Sequence, residues 1–231
     1  MLANMGWTKT GDCACRFSDG GGFAYPHSMN HFTIFGEVKR DLYIIAGCNG
    51  AGKTTASFTI LPEILNCKEF VNADEIAKGL SPFQPEKVSM EAGRIMLERI
   101  NDLLNSQVNF AFETTLATRS YKTKVILAKE KGYHVNLLYF WLRNPDLAIE
   151  RVRTRVAEGG HPIGTDVIER RYFKGIKNLF EIYLPIVDEF MIFDNSDGKN
   201  DLIAEKTKES EIEVLNEFKF NLLKSYHDER A

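Results

Sequence analysis

The chain has 231 residues, 44% of them hydrophobic, enough to build one sizeable core or a core with a lid. A net charge of −3 lacks the basic excess of a general nucleic-acid binder. No apolar run reaches the roughly 20 residues that cross a bilayer, so no membrane association is expected, and Met1–Gly22 has no apolar stretch after a basic start.

Four cysteines, Cys13, Cys15, Cys48 and Cys67, are scattered without a framework, which suits a reducing cytoplasm. Cys13 and Cys15 have no further ligands at zinc spacing and are taken as incidental thiols. Residues 1–40 are rich in Gly, Ser and Asn without sustained periodicity, so a poorly ordered extension is expected there. Met29 offers a second start just ahead of the first recognisable strand.

From Asp41 the pattern alternates strand with helix. "DLYIIAG" is a continuous apolar run, the mark of a strand buried on both faces. Gly52 to Leu65 predicts a helix, "EFVNA" a second strand, and Asp74–Lys78 a short helix. Val88, Ala92, Ile95, Met96, Ile100 and Leu103 then share one helical face. "VNFAFETT" is the third strand, Arg119–Lys131 a helix closed by Gly132, and "HVNLLYFWL" the fourth strand.

Helical pattern resumes at Pro145 and runs to Gly159–Gly160, and a long helix is expected from Thr165 to Val187. "FMIFDNS" is the fifth strand, and Glu209 to His227 predicts a last helix. The expected fold is therefore α/β, three-layered, with a mostly parallel five-stranded sheet. Residues 41–231 form one domain, with an arginine-rich lid at about 145–175.

Gly47-Cys48-Asn49-Gly50-Ala51-Gly52-Lys53-Thr54, followed by Thr55, fits G-x-x-x-x-G-K-[ST] between a strand and a helix. Glycines let consecutive N–H groups turn inward on an anion, and the helix N-terminus adds partial positive charge. Lys53 is expected on the β- and γ-phosphates of a nucleotide, and Thr54 on Mg²⁺.

The strand ends decide what happens to the phosphate, because ligands in open α/β sheets bind beyond the carboxyl edge. "VNADE" brings Asp74 and Glu75 there, and "FAFETT" brings Glu113, Thr114 and Thr115. One carboxylate can take a hydroxyl proton; another, with Glu113 the candidate, can orient Mg²⁺. Asp74 can equally cap the following helix, and the two roles are compatible. Arg151 and Arg155 lie four apart on one helical face, ahead of a Gly-Gly-His hinge and Arg170–Arg171. A solvated charge face would look similar, but arginines beside a hinge suit a lid over a triphosphate, which favours a kinase. His161 is expected to be a loop residue without a metal.

The set "GCNGAGKTT", "VNADEIAKGLSP", "FAFETTL" and "ERVRTRVAEGGH" with "RRY" resembles the zeta-toxin family of P-loop kinases, from about Asp41 to Ser196. The resemblance implies an ATP- and Mg²⁺-dependent kinase acting on the 3′-hydroxyl of UDP-N-acetylglucosamine, with an antitoxin as partner. It implies Lys53 and Thr54 as the P-loop pair and Asp74 as general base. It further implies Glu113 and Thr115 as substrate-binding groups, and Arg151 with Arg155 as lid arginines. The better-known family members have glycine between and after the third-strand residues and then a substrate-contacting arginine; in "ETTLATRS" Leu116 and Ala117 replace that pattern, and Arg119 matches the arginine only after a shift of two residues. Two alternatives stay open: a kinase for another hydroxyl (nucleoside, nucleic-acid end or antibiotic) and a nucleotide-dependent switch ATPase.

Overall fold

The computed structural model describes residues 40–207 and 210–228. The expected extension, apart from Arg40, and the Cys13 and Cys15 assignments lie outside the described residues.

Strands β1 (Arg40–Gly47), β2 (Glu69–Val71), β3 (Phe110–Thr114), β4 (Tyr133–Trp141) and β5 (Glu189–Asp194) are the five expected ones. Between them run helices α1 (Lys53–Thr59), α2 (Ala73–Leu80), α3 (Ser89–Ser106), α4 (Tyr121–Glu130), α5 (Pro145–Ala157) and α6 (Thr165–Asn178). All five strands pair in parallel, in the order β2-β3-β1-β4-β5. Successive residues of a strand face opposite sides, yet Leu42 to Gly47 and Leu137 to Trp141 are all buried. Both faces of the sheet centre are therefore covered, the three-layer arrangement that the apolar runs predict.

The sheet has seven strands, not five. β6 (Asp201–Lys206) pairs antiparallel with β5, and β7 (Glu213–Val214) with β6. "DLIAEK" offers only Ile203 and Ala204 to the core, and β7 is two residues long, so neither gives a strand-length apolar signal. The last helix, α7, consequently starts at Glu217 and not Glu209, and ends at Asp228. Of its expected apolar face, Leu223 is buried while Phe218 is 80% exposed.

Prolines explain two shortened helices. Pro62 lacks an N–H, and after Thr59 the chain shifts to a π-type turn, Ile60–Ile64, with Leu65 N bonding Ile60 O at 3.0 Å. A similar turn, Leu179–Tyr183, ends α6 just ahead of Pro185.

Two polar junctions tie helices to the sheet. The Trp141 Nε1–H donates to Tyr172 Oη at 3.0 Å, and Tyr172 donates to Leu142 O at 2.6 Å, all buried. At the other end of β5, Asp188 takes the Lys129 ammonium at 2.8 Å and the Val135 N–H at 2.8 Å. Tyr172→Phe should strand a buried donor and a buried acceptor, costing about 2 kcal/mol and lowering Tm by roughly 4–8 °C in a calorimetric scan.

Asp188 and Asp194 should shape the acid limb of stability. Burial alone would raise both carboxyls. Lys129 and the Val135 N–H overcome this for Asp188, as Lys219 and Ser196 do for Asp194, holding both below the ordinary value. Their contributions are present above the unfolded pKa of about 3.9 and are lost as pH falls through the lower folded values. Tm should thus hold from pH 7 to about 5 and fall below about pH 4. Asp188→Asn and Asp194→Asn should each start from a lower Tm and flatten that fall.

Candidate active site

β1 ends at Gly47 against the backbone of β4. A Cβ there would lie 2.1 Å from Phe140 O, so only glycine lets the chain turn away at this point (φ 142°). The loop then runs to Gly52, left-handed at φ 82°, which caps α1. Lys53, the first residue of α1, is buried; its Nζ donates to Cys48 O at 2.9 Å and lies 3.6 Å from Glu113 Oε1. Burial pushes the Cys48 thiol up to about 11 despite the neighbouring Lys53, so it stays protonated at neutral pH.

Glu113, near the end of β3, is the hub. Its Oε2 accepts from Thr54 Oγ1 at 2.7 Å and from Asn72 Nδ2 at 3.0 Å. Asn72 is buried directly after β2, and its Oδ1 caps α2 by accepting the Asp74 N–H at 2.8 Å. The cap of α2 is therefore Asn72, not Asp74. Asp74 stands one residue into α2, exposed, within electrostatic reach of Tyr121. Thr55 and Glu75 are exposed, and Glu75 pairs with Lys78.

Beyond β3 the chain turns sharply. Leu116 is buried and left-handed (φ 56°), a costly conformation for a side chain this size. Thr114 Oγ1 accepts its N–H at 3.0 Å and Asn178 Nδ2 donates to its carbonyl at 2.6 Å. Thr115 O packs against Gly175, where a Cβ would lie 2.5 Å away. Helix α6 thus shapes the strand end that departs from the family pattern. Arg119 is exposed.

The expected lid arginines divide. Arg151 is half-buried and its Nη2 donates to Asn195 O at 2.7 Å and Ser196 O at 2.8 Å. Arg155, one turn on, is exposed with no ion pair among the described residues. His161, between α5 and α6, pairs with Glu86.

Lys53, Thr54 and Glu113 therefore meet, with Asp74 linked to them through Asn72. Arg119 and Arg155 are exposed and make none of these contacts among the described residues, and Arg151 bonds the turn after β5. Sequence reasoning missed Asn72, Asn178 and Asn195. The first and last stand at strand ends, in "VNADE" and "FDNS", where an amide is itself a signal; nothing local marks Asn178.

The residues fit a magnesium–nucleotide. Thr54 and Glu113 bring together the hard oxygens that Mg²⁺ takes. Asn49 Oδ1 is buried in the loop and finds no partner among the described residues.

Three solved structures share the fold. A structure of the PezAT chromosomal toxin–antitoxin system of Streptococcus pneumoniae matches with TM-score 0.56 and 18% identity, over 83% of this chain and 87% of that one. AvrRxo1-ORF1:-ORF2 with ATP matches with TM-score 0.63 and 18% identity, over 82% of this chain and 64% of that one. A putative kinase from Chloroflexus aurantiacus matches with TM-score 0.53 and 14% identity, over 83% and 96%. The model of the family described as Zeta toxin matches residues 36–208, most of the described fold and every residue of the site. The chain belongs to the zeta-toxin family.

Proposed function

We propose that this protein is an ATP-dependent kinase that moves the γ-phosphoryl group of ATP to a hydroxyl of a small molecule, with UDP-N-acetylglucosamine as the acceptor to test first. The observation that carries this reading is the buried contact of Lys53 and Thr54 with Glu113, joined through Asn72 to the start of α2 and Asp74. A simple nucleotide switch needs the first part of that constellation but not a carboxylate held at its edge.

In this mechanism Gly47, Asn49, Gly50, Ala51 and Gly52 hold the phosphates by backbone N–H groups, and Thr55 adds its place in the first turn of α1. Lys53 supplies the positive charge. Thr54 and Glu113 would hold Mg²⁺, whose charge would offset that of the phosphates during transfer. Asp74 accepts the acceptor hydroxyl's proton; its exposure leaves both oxygens open to a substrate. Thr115, and Arg119 from the outer edge, orient the acceptor. Residues 145–175 act as the lid, and Arg155 is its arginine for charge developing on the transferred group. Arg151, anchored to the turn after β5, supports that lid.

The same reading includes a protein antitoxin as partner and the cytoplasm as location. The partner is suggested by the structural likeness to the PezAT toxin–antitoxin system. Among the described residues no helix is long and apolar enough to cross a membrane.

Purified protein incubated with ATP and Mg²⁺, with and without UDP-N-acetylglucosamine, should yield phosphorylated sugar nucleotide by mass spectrometry. Asp74→Asn should retain ATP binding and lose about 10²–10⁴ in transfer rate. Lys53→Ala should lose both. ATP turnover without that product would move the acceptor elsewhere, and equal hydrolysis in parent and Asp74→Asn with every acceptor tried would leave a switch.

A further inference from the structure

We infer that the turn Asp194-Asn195-Ser196 after β5 is a positioning brace for the phosphate loop, set from outside by helix α7 through Lys219. This rests on the nucleotide site proposed above and adds residues that the site itself does not contain.

The inner contact is direct. Asn195 Nδ2 donates to Ala51 O at 2.8 Å, and a Cβ on Gly52 would lie 2.6 Å from the same nitrogen. Asn195 thus packs against the loop as well as bonding to it. A trans peptide is planar, with its C=O and N–H pointing to opposite sides. Holding the Ala51 carbonyl toward Asn195 therefore turns the Gly52 N–H away from it, toward the side on which a phosphate loop presents its donors.

The turn is itself held at every residue. Asn195 N donates to Trp141 O at 2.9 Å, and the Asn195 and Ser196 carbonyls accept both bonds from Arg151. Ser196 Oγ accepts the Arg143 N–H at 2.9 Å and donates to Asp194 Oδ1, which also takes the Ser196 N–H at 2.9 Å. The other oxygen of the buried Asp194 receives Lys219 Nζ at 2.7 Å, and the same ammonium reaches Asp201 at 3.1 Å. Lys219 lies beyond residues 36–208, the stretch that the family model matches. The chain of contacts therefore runs from α7 through β5 and the turn to Ala51, without touching acceptor or metal groups.

Calorimetric titration of the full chain with ATP and, separately, with inorganic triphosphate tests this. Triphosphate reports the phosphate loop alone. Asn195→Ala should weaken both ligands by a similar factor, about tenfold for one lost loop-orienting hydrogen bond. Measured well below the Tm that loss of the ion pair itself lowers, Lys219→Met should weaken both by a smaller factor, and Lys219→Arg should restore them. Should Asn195→Ala fail to fold, the Lys219 pair decides by the same criterion. Loss for ATP with triphosphate unchanged would put Asn195 on the nucleoside and overturn the brace, as would unchanged affinity for both. A parent chain that binds neither ligand would remove the nucleotide reading itself, and the brace with it; a parent that binds both while the variants match it would remove the brace alone.

Discussion

The Glu113 carboxylate, its side chain only 9% exposed, is satisfied by two segments distant from it in sequence. Lys53 and Thr54 come from the start of α1 and Asn72 from the end of β2, while Glu113 itself lies on β3. A charge this far from bulk water is costly alone, so its partners must be present together for the strand ends to settle. The parallel register of β2, β3 and β1 supplies that coincidence, since it sets Ile45 beside Glu113 and Val71 beside Phe112. Geometry at the site is thus a consequence of sheet order more than of any local turn.

The strand ends differ in how rigidly they are held. Asn72 works twice, capping α2 through its oxygen and bonding Glu113 through its nitrogen. Movement of Glu113 on binding a metal would therefore be felt at the helix start that bears Asp74. The turn after β3 is fixed instead by burial of Leu116 in a strained conformation, with Asn178 and Gly175 of α6 against it.

How much of this was legible in the sequence follows from the range of each signal. The five parallel strands are continuous apolar runs, and the phosphate loop is a contiguous motif between strand and helix, so both could be found locally. The lid arginines could be found but not resolved: spacing puts Arg151 and Arg155 on one face, yet only tertiary contact shows Arg151 bound to Asn195 and Ser196. β6 and β7 were hidden because pairing onto an existing edge needs few apolar residues. Asn178 and Lys219 were hidden for a related reason: their partners, Leu116 and Asp194, are distant along the chain. Lys53, Thr54 and Glu113, read from two separate motifs, come together at the strand ends.

The central claim is that Glu113 joins the phosphate loop to the metal and to the base-bearing helix. Titrating the parent and Glu113→Gln with a non-hydrolysable ATP analogue, with and without Mg²⁺, tests it most directly. The amide nearly preserves the shape but removes the charge. Magnesium should tighten binding to the parent by at least about tenfold and do little for Glu113→Gln, whose metal-free affinity stays close to that of the parent. Equal enhancement by Mg²⁺ in the two proteins would contradict the account and put the metal on other groups.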